Sequence, residues 1–276
     1  MRKFKDTIFK VLLFINLLIF ASILIALFSK LIKEGAHVLS WDFLFGSPSG
    51  LPPGKEGGIW PAIIGSLITF FLSSFISSIL ALMTAIYIVF YLKEGRTKNI
   101  LRIIIQCISG IPSIVLGLFG YTLLVYKLRL GRSVLSASAT LAVMIFPFME
   151  IRMEKLFINY DYDKLETALS LGIDKGFVIR HIVLKGLRNK IIQTVTLGGS
   201  LAIGATAPIM LTGAVIHTGI PSGLFKPFMA LPYHLYILIN EGISTTMGYG
   251  TALVLMIILL IINTFSLLIG GKDDNY

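Results

Sequence analysis

Charge and cysteine are what this 276-residue sequence has least of. Only 14% of its residues are charged and 55% are hydrophobic, with a mean hydropathy of +0.87. A soluble domain carries about 25% charged residues, so the solvent here is lipid rather than water. The single cysteine, Cys107, excludes a disulfide framework and a Cys-based metal site, and its apolar surroundings predict a buried, inert thiol. His37, His181, His217 and His234 are scattered through loops, with no carboxylate at metal-ligand spacing, so solvated or packing histidines are expected and no metal site or cofactor. No G-x-x-x-x-G-K-[ST] occurs, which excludes ATP binding through a P-loop. The apolar stretches hold almost no ionisable residue away from their ends, whereas ion-coupled transporters and pumps need one to carry the coupling ion. Uphill transport by this chain would take its energy from a partner, and no residue has a catalytic setting.

What is present is a series of long apolar windows near 8–28, 59–92, 100–126, 133–150, 191–216 and 246–270. Each can cross roughly 30 Å of hydrocarbon as a helix. Continuous apolar runs without alternation exclude a β-barrel. The expected fold is therefore an all-α integral membrane protein of six helices. The first window is too long for a signal-peptide core and lacks a small-x-small site, so an uncleaved span is expected.

The net charge of +10 is distributed as the positive-inside rule distributes it, in short connections rather than in a nucleic-acid-binding stripe. With the N-terminus inside, 17 of the 24 Lys and Arg fall on the cytoplasmic side and 7 outside, which puts both termini in the cytoplasm. Lys127, Arg129 and Arg132 run against the rule. The outer loop 29–58 is rich in Gly and Pro, and its Trp41-Asp42-Phe43-Leu44-Phe45 suits a short interfacial stretch touching lipid.

Within the spans, small and hydroxylic residues form stripes. Ser77, Ala81 and Ala85 line the second; Gly110, Ser113, Gly117 and Gly120 line the third; Gly198, Gly199, Gly204 and Thr206 line the fifth. Such stripes are the usual packing surface of helices in lipid. Pro112 and Pro208 free backbone groups inside their spans, which adds the possibility of a pathway or a movable interface. The candidate pathway residues are Ser113, Gly117, Gly204, Thr206, Pro208 and Thr212.

The polar segment 150–190 carries eight of the 24 Lys and Arg, yet keeps helical periodicity. Asp163 and Glu166 are spaced as a capping box, with Leu165, Ala168, Leu169 and Gly172 on one face of the helix they open. Gly172 suits a left-handed helix end, and Asp174 suits the cap of a second helix running through Phe177 to Leu187. A folded basic loop of this kind fits a partner protein; an amphipathic helix lying on anionic lipid is the alternative, which Asp161, Asp163, Glu166 and Asp174 disfavour.

Glu166, Ala168, Gly172, Ile182 and Leu184 resemble the EAA loop of ABC importer permeases, E-A-A-x3-G-x9-I-x-L-P, with Thr167 and Lys185 departing from it. Trp41-Asp42-Phe43-Leu44, Gly57-Gly58-Ile59, the run from Gly110 to Gly120, Thr206-Ala207-Pro208 with Leu211-Thr212-Gly213, and Ala230-Leu231-Pro232 are similar to the phosphate (PstA-like) branch of that family. The resemblance implies a MetI-like permease domain over 59–276, preceded by an N-terminal helix and outer loop over 1–58. It also implies an ABC ATPase dimer docked on Asp163, Glu166, Ala168, Gly172, Ile182 and Leu184, a PstC-like second permease, an extracytoplasmic phosphate-binding protein, and lipid around them. No nucleic acid is expected, and ATP would be hydrolysed by the partner. The branch usually has Arg-Ala-x-Gly-Glu before Thr-Ala-Pro; this chain has Leu201-Ala202-Ile203-Gly204-Ala205, so both charges are missing. Another oxyanion (tungstate, molybdate or sulfate) therefore stays open, as does a membrane scaffold or sensor that does not transport.

Overall fold

In the computed structural model of the chain, residues 2–52, 54–160, 162–216 and 218–271 are described, without the side chains of residues 2–8, 162–164 and 169. Apolar windows become helices because lipid offers their backbone no other partner. Helix α1 (Arg2–Ala36) is nearly all exposed and meets the rest of the chain at its end, where a Cβ on Gly35 would stand 2.7 Å from the Tyr249 carbonyl oxygen. A short helix α2 (Trp41–Phe45) follows, capped by Ser40, whose hydroxyl accepts from the Phe43 amide at 3.1 Å. Trp41 is 78% exposed and stacks on Phe45. The Gly- and Pro-rich loop that follows forms a small antiparallel pair, β1 (Pro48–Ser49) and β2 (Glu56–Gly57).

Helix α3 (Trp60–Ile86), with Pro61 in its first turn, runs into a π-helical end at Tyr87–Tyr91. Helix α4 (Arg96–Ser109) and helix α5 (Ser113–Gly120), which continues as a π-helical stretch over Tyr121–Lys127, follow. Helix α6 (Val134–Ile158) is capped by Ser133 and passes through the buried Pro147 without ending. The loop helices are α7 (Tyr162–Ser170), α8 (Lys175–Val178), a π-helical stretch Ile179–Val183, and α9 (Leu184–Gly186). Helices α10 (Arg188–Gly204), α11 (Ala207–Thr212), α12 (Leu231–Asn240) and α13 (Thr245–Gly270) complete the chain.

The core is α3 against α6, with α10 laid across both and reaching α13. The small-residue stripes supply the contact, since packing between helices in lipid rests on close van der Waals approach. Ser77, Ala81 and Ala85 are fully buried. A Cβ on Gly199 would stand 2.2 Å from Ser74 Oγ, and one on Gly198 2.5 Å from the Met149 methyl. At the start of α3, Ser66 Oγ accepts from the Leu231 amide at 2.8 Å, which ties the start of α12 to α3.

Among the described residues, four helices are long and apolar enough to cross a membrane: Phe9–Ala36, Trp60–Tyr91, Val134–Ile158 and Thr245–Gly270. The expected third span, 100–126, is instead a pair bent by 95° between α4 and α5. Pro112 lacks the N–H that would continue the α4 ladder, and α4 itself carries Arg96, Lys98, Asn99, Arg102 and Gln106. The expected fifth span, 191–216, breaks at Ala205–Thr206, because Pro208 cannot donate to the Gly204 carbonyl. Helix α6, the expected fourth span, overshoots its expected end at Glu150 by about two turns, so the first nine residues of the polar segment, 150–158, are helix.

Two further expectations change. Cys107 is exposed rather than buried, because α4 buries only Lys98 and Ile105. His234 lies on a helix and is 5% exposed, with Nδ1 at 3.3 Å from the Thr251 hydroxyl. His217 lies outside the described residues.

Candidate functional site

The polar loop is folded back onto the end of the membrane core rather than hanging from it. Leu165, Ala168, Val178, Ile179, Val183 and Leu187 are buried in one cluster with Phe90, Met153 and Phe157, the ends of α3 and α6. Lys175 donates to the Phe90 carbonyl, with its ammonium 5.3 Å from the Tyr91 ring. Tyr160 donates to the Ile182 carbonyl at 3.4 Å. These long-range bonds brace the loop against the spans.

Helix α7 starts at Tyr162, so Asp163 sits inside its first turn instead of at the cap, and the Asp163 side chain lies outside the described residues. Its far end is as expected. Gly172 has φ +78°, and the Ile173 amide reaches back to the Ala168 carbonyl at 3.3 Å, the long bond of a Schellman end. Asp174 accepts from the Phe177 amide at 3.1 Å and caps α8.

Among the expected docking residues, Glu166 and Gly172 are exposed, Ala168 is buried, and Ile182 and Leu184 are half-buried against the core. They do not form one contiguous surface. The exposed surface of the loop instead includes Leu171 at 76% and Phe177 at 51%, the latter stacked on His181. These two were not singled out in the sequence. For Leu171, an apolar residue immediately before a left-handed glycine was the available signal.

The second region is the pair of helix breaks. A Cβ on Gly117 would stand 2.9 Å from Pro208 Cα, so α5 and α11 touch backbone to backbone. Gly120 is closed off by the Thr140 side chain instead. Ser113 is exposed, Gly204 is exposed with no atom within 4 Å of its Cβ position, and Thr206 is half-buried. Thr212 is fully buried, its hydroxyl donating to the Pro208 carbonyl at 2.6 Å. Gly117 and Pro208 are thus brought together, whereas Gly204 opens to the exterior with Leu201, which is 49% exposed.

Charge in α6 is the feature that sequence reasoning missed. Arg102 of α4 pairs with Glu154, with Nη2 at 2.5 Å and Nε at 2.7 Å from Oε1. Glu150, one turn up, is 1% exposed. Nearby, Lys98 pairs with Glu94 at 2.6 Å, and its ammonium holds the Glu94 carboxyl below the ordinary carboxylate range.

The chain is mostly helical, with broken spans and a helical loop braced on the core. The fold is shared with a solved structure: an inward-facing form of the MetNI methionine ABC transporter superposes with a TM-score of 0.60, over 78% of this chain and 95% of that one, at 14% identity. A family model, the binding-protein-dependent transport system inner membrane component, matches residues 78–270, and the chain belongs to that family. It is a non-catalytic, multi-pass inner-membrane permease subunit of an ABC importer, which works with a separate ATPase and a substrate-binding protein. Similar curated proteins include the phosphate transport system permease protein PstA 2 of Mycobacterium bovis, 29% identical over 84% of this chain and 76% of its own length. PstA of Mycobacterium leprae is 28% identical over 96% and 88%. The probable ABC transporter permease protein YqgI of Bacillus subtilis is 23% identical over 89% and 88%.

Proposed function

We propose that this chain is one half of the membrane pathway of an inorganic phosphate importer, paired with a PstC-like second permease and fed by a phosphate-binding protein. The observation that carries the reading is the loop 162–187: a short helix, a left-handed glycine and a capped second helix, braced on the core and presenting Glu166, Leu171 and Phe177 outward. That face docks the ATPase, with Asp163, Ala168, Gly172, Ile182 and Leu184 shaping it. Loop and termini lie in the cytoplasm, as the bias of basic residues requires. Irregular backbone at membrane depth is tolerated only where it is buried or lines a cavity, so the breaks at 110–112 and 205–206 belong at the pathway. Ser113, Gly117, Gly204, Thr206, Pro208 and Thr212 are the residues on or behind it.

Phosphate is the substrate because relatives named as phosphate permeases match most of the chain. One observation favours a second reading. Leu201 and Ala205 stand where the branch usually has an Arg and a Glu, so another oxyanion, tungstate, molybdate or sulfate, is the competing cargo. The test is uptake by the complete transporter in proteoliposomes. Phosphate uptake that tenfold excesses of the other three oxyanions do not suppress supports the proposal; preferential uptake of one of them replaces it. Absence of any ATP-dependent uptake by an assembled complex would favour a scaffold or sensor.

A further inference from the structure

Helix α4 is loosely held. It follows Gly95, whose Cβ position has no neighbour within 4 Å, and ends at the 95° bend before α5. It buries only Lys98 and Ile105. Its one ion pair to α6 is Arg102 with Glu154. Beside that pair lies a cavity of about 210 Å³ between the helices, lined in part by Arg102, Gln106, Glu150 and Glu154. Glu150 is 1% exposed, and neither of its oxygens has a hydrogen-bond partner among the described residues.

An enclosed carboxylate without a partner is heavily destabilised, and leaving one behind needs a reason. Glu150 is too enclosed for a neighbouring subunit to reach it in this conformation. Lys155, which also lines the cavity, sits on α6 itself and keeps its distance from Glu150 whatever α4 does. Among the described residues that line the cavity, the remaining cation is Arg102. Glu150 and Glu154 are four residues apart, so they lie on one face of α6 and are separated by about 6 Å along its axis. A metal cation is a poor occupant, because Arg102 already supplies positive charge at the same face.

We propose that Arg102 and the two carboxylates form a two-position latch: Arg102 holds Glu154 in the present state and steps one turn up α6 to Glu150 in the other state of the transport cycle. One-turn ratchets of this size are a known way for packed helices to switch between two discrete registers. Glu150 is then the vacant seat of the second register, and the cavity is the space through which the guanidinium moves. The latch rests on the importer reading, since it needs two access states.

The test uses the complete transporter in lipid nanodiscs, with Cys107→Ser and spin labels at Ile104→Cys and Val143→Cys, both exposed positions on α4 and α6. Distance distributions are recorded without nucleotide and with ATP trapped by vanadate. The latch predicts two populations, displaced by up to about 6 Å, whose ratio changes between the two conditions. Glu150→Gln should remove the second population and Glu154→Gln should enrich it. One unchanged population in both conditions, or two populations that survive Glu150→Gln, overturns the latch. If Glu150→Gln fails to assemble, an unaltered distribution in Glu154→Gln overturns it equally. Uptake by the same preparations tests the cargo separately: two latch populations without phosphate uptake leave the latch standing and remove the substrate reading.

Discussion

Replacing Gly172 separates the fold of the loop from its proposed docking role. At φ +78° a leucine pays the left-handed penalty, about 1–2 kcal/mol. It meets nothing else, because no atom lies within 4 Å of the Cβ position. Against a total stability of about 5–15 kcal/mol, that loss leaves the permease folded and assembled. The partner surface is another matter. Overpacking a close contact costs about 1–3 kcal/mol, which is about 5–150-fold in docking. Gly172→Leu should therefore keep near-normal membrane yield and lower uptake at least about fivefold, with ATP hydrolysis no longer following substrate. The assay is paired uptake and phosphate release from ATP in proteoliposomes containing the full transporter. Gly172→Asn is the control, since asparagine tolerates the left-handed region while adding bulk. Full coupling in Gly172→Leu refutes the close approach. Full coupling in Gly172→Asn alone shows that the glycine serves the turn and not the contact.

Further outcomes follow from packing and charge. Gly65→Ala should abolish stable permease, measured as detergent-resistant yield, because the new methyl would stand 2.0 Å from the Met229 carbonyl oxygen, a backbone atom that cannot swing aside. Arg102→Ala should destabilise by about 3–5 kcal/mol, read as a fall in the thermal midpoint, because it leaves Glu154 enclosed without its cation. A midpoint shift within 1 °C of the parent would be flagged as contrary to that reasoning (about 2–4 °C per kcal/mol is expected at this size). The Glu94 carboxyl is held below its ordinary value of 4.5, so its pairing with Lys98 contributes stability above that pH and loses it as pH falls through the lowered value. Glu94→Gln should consequently narrow the difference in thermal midpoint between pH 7 and strongly acidic buffer, and high salt should erase the effect, since the Glu94 side chain is 78% exposed.

Local features were the legible ones. The cap at Asp174 and the left-handed Gly172 depend on residues within a few positions of each other, and both are present as read. The Asp163 cap was off by position because the helix begins at Tyr162. Both breaks in the spans had their cause in view, Pro112 and Pro208, yet hydropathy windows ran straight across them. An apolar average cannot register a missing N–H.

The sequence by itself determined that this chain is helical, lies in a membrane and carries a folded basic loop, because composition, periodicity and caps act over a few residues at a time. It also carried the spacing by which the loop resembles the EAA loop of ABC importer permeases. Only the tertiary structure decided which faces are covered. Arg102 and Glu154 are 52 positions apart and meet because α4 turns back along α6. The same turn encloses Glu150, while the side of α4 that faces away leaves Cys107 exposed. The joining of α5 to α11 through Gly117 and Pro208 likewise depends on two breaks arriving at one place. Burial and pairing across such separations belong to the packed molecule, since no short window of residues contains both partners.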